Sequence, residues 1–263
     1  MGWMAKWAAV AALTWAMVVP AQAALQSREI VYQDGETPLA GYLAWDDAFS
    51  GPRPGVLVVH EWWGLNDYAK KRAEMLAGLG YVALAADMYG VGHVTTHAKE
   101  AKGWMEQVTG NQEMWQRRAV LALDQLKKAP TVDSSRMAAI GYCFGGATVM
   151  QLAYAGAEVK GVVSFHGSMP LATAEQTAKI KGKVMIAHGY ADAFIPAERV
   201  TAFQQALDLG GVDWRMLTLG GAVHGFTNPE AAKAGMEGMR YDEKADQRSW
   251  RAMQDFFNEI FAH

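Results

Sequence analysis

A chain of 263 residues with one cysteine, Cys143, cannot close an internal disulfide. Its formal charge of −3 provides no basic field to hold a polyanion, so neither nucleic acid nor an anionic membrane surface is expected as a partner. No Pro/Gly/Ser-rich linker, run of like charge, low-complexity tract or fixed-period repeat divides the sequence. Residues 24–263 are therefore expected to form one domain of about 240 residues. A glycine-rich phosphate fingerprint is missing and the seven histidines lack ligand-like spacing, so no organic cofactor or metal is implied. A small molecule remains the default partner. A monomer is expected, with a dimer joined through Cys143 as the alternative.

The N-terminus has the form of an address label. Lys6 precedes an apolar run, Trp7–Val19, and Pro20-Ala21-Gln22-Ala23 ends in a small-x-small pattern. The run is short for a bilayer span and polar residues follow soon after, so a signal peptide cleaved after Ala23 is expected rather than a retained anchor. No cysteine stands at that junction for lipid attachment. The reading is an exported, periplasmic protein, which sharpens the question of why it keeps one thiol in an oxidising compartment.

Beyond that segment, short apolar runs alternate with helix-period stretches, the pattern of a sheet covered on both faces by helices. Residues 28–33 and 38–45 alternate as a hairpin turning near Asp34-Gly35, so the sheet begins antiparallel. Residues 55–60, 81–86, 137–142, 159–165, 184–188 and 214–219 read as further strands. Helices are expected over residues 67–79, 99–108, 112–128, 144–155, 197–209 and 243–261. Asn66 and Asp67 mark the start of the first helix, and Gly210-Gly211 closes the fifth.

Gly141-Tyr142-Cys143-Phe144-Gly145-Gly146 lies where an expected strand converts into a helix, in the G-x-C-x-G form of a nucleophile elbow. A turn that tight tolerates only small residues two places either side of the nucleophile, and Gly141 and Gly145 meet that requirement. The helix N-terminus favours thiolate, and the Phe144 N–H would face a developing oxyanion. The alternative is a core thiol beside helix-packing glycines, since cysteine is among the most buried residue types.

A nucleophile needs a base and the base an orienting group, which α/β hydrolases supply in the order nucleophile, acid, histidine. Asp192 follows the strand ending at His188, and His224 follows the strand ending at Leu219. Both fall at strand carboxyl ends, where open parallel sheets build their sites. Asp192 could instead be a turn or capping residue ahead of Pro196. His166 and His188, also at strand ends, compete with His224 as the base.

The chain resembles the dienelactone hydrolase family, α/β hydrolases with a cysteine nucleophile. The resemblance rests on His60-Glu61-Trp62-Trp63-Gly64-Leu65-Asn66, Ala86-Asp87-Met88-Tyr89, the Cys143 turn, His188-Gly189-Tyr190-Ala191-Asp192 and His224-Gly225-Phe226, and covers nearly all of residues 28–262. It implies an α/β-hydrolase fold with Cys143 as nucleophile, His224 as base and Asp192 as its orienter. It further implies Glu61 as a carboxylate that contacts the resting thiol and moves when substrate arrives, and Trp62 N–H as the second oxyanion donor. A carboxylate crowded into such a site has its pKa raised.

Family members that hydrolyse dienelactone hold its carboxylate with two arginines, one after the aspartate-x-tyrosine segment and one shortly after the catalytic histidine. Here those regions read Tyr89-Gly90-Val91-Gly92-His93 and Phe226-Thr227-Asn228-Pro229, without arginine. His93 and Asn228 cannot replace a bidentate cation. The expected substrate is a neutral or apolar ester, lactone or thioester, lined by Trp63, Tyr89 and Phe226 and cleaved through an acyl-cysteine. The rival reading is a hydrolase-shaped protein that binds a small ligand or uses Cys143 as a redox-sensitive thiol.

Overall fold

The computed structural model of the protein describes residues 25–262, so the anticipated signal peptide lies outside the described residues. The chain begins with a hairpin, β1 (Leu25–Asp34) and β2 (Thr37–Asp46), closed by a two-residue loop. Gly35 takes a φ of 60° there, a conformation a tight hairpin reserves for residues without a Cβ. Next come β3 (Arg53–Val59), α1 (Asp67–Ala77), β4 (Val82–Ala86), α2 (Ala98–Thr109), α3 (Gln112–Lys127) and β5 (Val132–Tyr142). The chain continues through α4 (Phe144–Tyr154), β6 (Gly161–Phe165), α5 (Ala174–Ala178), β7 (Lys183–Gly189), α6 (Ala197–Leu209), β8 (Trp214–Leu219), a 3-10 turn at Ala231–Ala234, and α7 (Glu243–Phe261).

All eight strands join one sheet in the order β1-β2-β4-β3-β5-β6-β7-β8. The hairpin and the β2/β4 pair are antiparallel and every other pairing is parallel, as the sequence led us to expect. The central strands are buried on both faces, and their alternate residues serve two cores. Leu57 and Val59 belong to the core that takes in residues of α3, α4 and α6, while Val56 and Val58 belong to the opposite core with residues of α1 and α7. Asn66, Asn111 and Asp242 each accept a backbone N–H at the start of α1, α3 and α7, satisfying donors that a helix leaves open. Among the described residues no helix is long and apolar enough to cross a membrane.

Beyond shifts of up to three residues at element ends, the 3-10 turn at Ala231–Ala234 was not expected, and two further elements differ from the sequence expectation. β5 begins at Val132 rather than Met137, because Val132 and Asp133 pair with Arg53 and Pro54 across a register shift. α5 was not foreseen: it has five residues, too few to show a period, and rests on a capping box between Thr173 and Gln176.

The chain runs from β3 outward to β4, then crosses back to β5 on the other side of β3. The strand order reverses between β3 and β5, which opens a crevice at their carboxyl ends. Glu61 follows β3 there and Cys143 follows β5.

Candidate active site

Cys143 links β5 to α4 with φ 54° and ψ −113°, a strained conformation for a residue with a Cβ. The flanking glycines hold it in place. A Cβ on Gly141 would collide with the Gly145 carbonyl, one on Gly145 with the Val59 carbonyl, and one on Gly146 would lie 2.6 Å from Ser164 Oγ. Cys143 N donates to Phe165 O at 3.0 Å, which anchors the elbow to β6. The thiol itself is half-buried and free. Phe144 opens α4, so its N–H has no acceptor within the helix.

His224 sits past β8 in a segment held by two backbone bonds, His224 N to Gly238 O at 3.1 Å and Arg240 N to His224 O at 3.2 Å. Its Nδ1 pairs with Asp192 Oδ2 at 2.8 Å, and Asp192 is buried with Oδ1 accepting Phe194 N at 3.0 Å. The Cys143 thiol lies near enough to the ring to act on its charge. Burial alone would lower the His224 pKa. The charge of a Cys143 thiolate and the Asp192 carboxylate oppose that and push it up to about 10. The rings of Phe194 and His166 stand edge-on to His224 at 5.3 Å and 5.2 Å and restrict its rotation.

Neither competing histidine hydrogen-bonds a carboxylate. His166 is fully buried, its Nε2 bonded to Thr227 Oγ1 at 2.7 Å, and burial first, then the charges of His224 and Arg72, hold it neutral. Tyr68 OH reaches the same Thr227 oxygen at 2.6 Å and accepts from Arg72 Nε at 3.2 Å. Arg72 also donates to Thr227 O and to Asp246 Oδ1, each at 2.6 Å, tying α1 and α7 to the loop that carries His224. His188 has its pKa lowered by burial, and its Nδ1 has no partner.

Glu61 is buried, and Asn228 Nδ2 donates to its Oε2 at 2.6 Å while Oε1 has no partner. Burial raises its pKa to about 7, against the opposing Asn228 hydrogen bond and the charges of His224 and Arg72. A carboxyl whose pKa lies near neutrality can exchange a proton at neutral pH.

Trp62 is half-buried and packs on Trp63 with ring centroids 4.6 Å apart. Trp63 lines a cleft of about 320 Å³ together with Tyr68, Thr95, Asn228 and Lys233. Tyr89 is buried against His60 and Phe144, with centroids at 4.9 Å and 5.4 Å. Phe226 has no exposed surface and packs edge-on to His166 at 5.1 Å, so it supports the site from within the core. Two arginines beside the crevice, Arg72 and Arg118, are engaged elsewhere. Arg72 pairs with Asp246, and Arg118 binds Asp34 and the carbonyls of Met88 and Tyr89.

Sequence reasoning did not assign roles to Asn228, Thr227, Arg72 or Phe194. Only Asn228 carried a signal, as the residue standing where an arginine was sought.

Comparison with known proteins agrees with this architecture. Residues 39–261 match the model of the dienelactone hydrolase family. A crystal structure of a dienelactone hydrolase-like promiscuous phosphotriesterase, P91, from metagenomic libraries is 43% identical with a TM-score of 0.88, covering 90% of this chain and 99% of that one. A putative dienelactone hydrolase from Klebsiella pneumoniae, 20% identical with a TM-score of 0.75 over 89% of this chain and 98% of its own, shares the fold. A putative carboxymethylenebutenolidase from Synechocystis is 28% identical over 237 residues, 83% of this chain and 91% of that protein. The chain has the α/β-hydrolase fold and belongs to the dienelactone hydrolase family.

Proposed function

We propose that the protein hydrolyses neutral or apolar carboxylic esters, lactones or thioesters through an acyl-enzyme on Cys143. The observation that carries this reading is the strained elbow at Cys143 together with His224, which is bonded through Nδ1 to buried Asp192 and lies near enough to the thiol to be influenced by its charge. Strain of that kind is costly for a thiol that only packs.

The Cys143 thiolate attacks the acyl carbon, and the carbonyl π electrons move onto oxygen. The N–H groups of Phe144 and Trp62 receive that oxyanion. Collapse expels the alcohol or thiol, which takes the proton held on His224. The neutral imidazole then draws a proton from water, the hydroxide attacks the thioester, and collapse returns the thiolate. Asp192 keeps the ring oriented throughout, and Glu61 buffers a proton beside the pair.

Asn228 and His93 in place of cations favour uncharged substrates over dienelactone. The reading includes export and action as a monomer on a small molecule, resting for export on residues 1–23. The mature protein recovered from a periplasmic fraction should begin at Ala24.

The test is turnover by residues 24–263 of dienelactone, neutral lactones, aryl esters and thioesters, beside Cys143→Ala. A neutral phosphotriester belongs in the panel because the 43% identical P91 is described as a promiscuous phosphotriesterase. Cysteine-dependent hydrolysis of neutral carboxylic substrates is the expected result; turnover of none of them overturns the proposal.

A further inference from the structure

His60 ends the run from β3 and has no part in the triad, yet it is completely buried. Its Nε2 accepts the backbone N–H of Met88 at 3.2 Å, which leaves the ring proton on Nδ1. That Nδ1–H donates to the carbonyl oxygen of Glu61. Burial, the largest influence, lowers the His60 pKa against the Glu61 carbonyl and the Asp87 charge, so the ring is neutral and the tautomer is set by Met88.

The Glu61 carbonyl belongs to the same peptide unit as the Trp62 N–H. In a planar trans peptide those two groups point in opposite directions. A ring bound on the carbonyl side therefore sends the N–H the other way. The His60 ring also stacks on Phe144, centroids 5.8 Å apart, and a Cβ on Gly145 would lie 2.7 Å from the His60 carbonyl oxygen. The segment carrying Trp62 and the first turn of α4 are thus in direct apposition.

We propose that His60 is the positioning residue of the oxyanion hole: by holding the Glu61 carbonyl through Nδ1–H and packing on Phe144, it aims the Trp62 N–H at the oxygen that acquires charge. The inference rests on the acyl-cysteine reading above. His60 touches no substrate and transfers no proton. Its contribution is orientation, which costs no reorganisation when the tetrahedral intermediate forms.

The two ring nitrogens have different jobs, so two substitutions separate them. The side-chain amide of His60→Asn reaches where Nδ1 stood and keeps the bond to Glu61. That of His60→Gln reaches where Nε2 stood and keeps the acceptor for Met88. We expect His60→Gln to lower kcat about a hundredfold with little change in KM, and His60→Asn to retain most of the activity.

A trifluoromethyl ketone and iodoacetamide supply the readouts that simple damage to the fold would not separate. The ketone forms a C–S bond to Cys143 and places its carbonyl electron pair on oxygen, so its affinity should fall in parallel with kcat. Iodoacetamide is attacked at a saturated carbon and loses iodide, with no oxyanion, so its rate of alkylating Cys143 should match the wild type in both variants. Equal kcat in His60→Gln and wild type, or ketone affinity and alkylation falling together, overturns the inference. A wild type that alkylates but neither turns over esters nor binds the ketone would instead remove the acyl-cysteine reading, and the inference with it.

Discussion

Asn228 Nδ2 donates to Glu61 Oε2 at 2.6 Å, joining the loop of His224 to the carboxyl that follows β3. The amide cannot turn over, because its Oδ1 accepts Glu230 N at 2.9 Å. When Glu61 is protonated, its proton therefore belongs on Oε1, the oxygen with no partner.

Asn228→Asp replaces that donor with a near-isosteric carboxylate. A like charge beside Glu61 moves its pKa above the present value of about 7. Besides Asn228, the groups facing Glu61 are His224, Arg72, Tyr68 and Tyr142. The variant's pH–rate profile should show the Glu61 limb displaced to higher pH by about one unit or more, with kcat at neutrality down roughly tenfold. The limb should disappear in Glu61→Gln. An unmoved limb in Asn228→Asp would separate Glu61 from the profile.

Glu61 also sets a stability prediction. Its folded pKa of about 7 lies above the ordinary glutamate value of 4.5, so the native state favours the protonated form. That preference is fully present below pH 4.5 and is lost as pH rises through 7, where a buried carboxylate must be carried. Glu61→Gln should melt roughly 5 °C above wild type at pH 8, and the gap should close as pH falls towards 4.5. Thermal scans across that range measure it.

For His224 the shift is also upward, from 6.5 to about 10. Its stabilising contribution is fully present below pH 6.5 and is lost as pH rises through 10. Asp192→Asn removes one of the charges responsible. It should cut kcat about a thousandfold or more and should be less stable than wild type at pH 7, with the stability gap narrowing towards pH 10.

The order of strands and helices was legible because buried parallel strands read as continuous apolar runs, and their helices carry a clear period. The elbow was legible because its glycines answer a local steric demand that sequence displays directly. The five residues of α5 could not be, since their capping box outweighs any pattern so short. The same holds for the site. Asp192 and His224 stand in order along the chain, but the neutrality of His166 depends on burial and on the charges of His224 and Arg72, which meet only in space. Phe226 read as a pocket residue from its place beside His224, whereas residues 224–228 are all buried and its ring packs inward against His166.

Gly145→Ala tests the elbow by steric means alone. The added methyl group meets the Val59 carbonyl, which belongs to a central strand and cannot give way cheaply. A loss of about 3 kcal/mol in urea denaturation is expected, with activity reduced in the fraction that remains folded.

Intact-mass spectrometry of the enzyme quenched during turnover of a neutral aryl ester tests the central claim most directly. The account predicts a species heavier by the acyl group, mapped to the peptide containing Cys143 and missing from Cys143→Ala, which should also be inactive. Turnover that persists in Cys143→Ala, or an acyl group carried by any other residue, would contradict it.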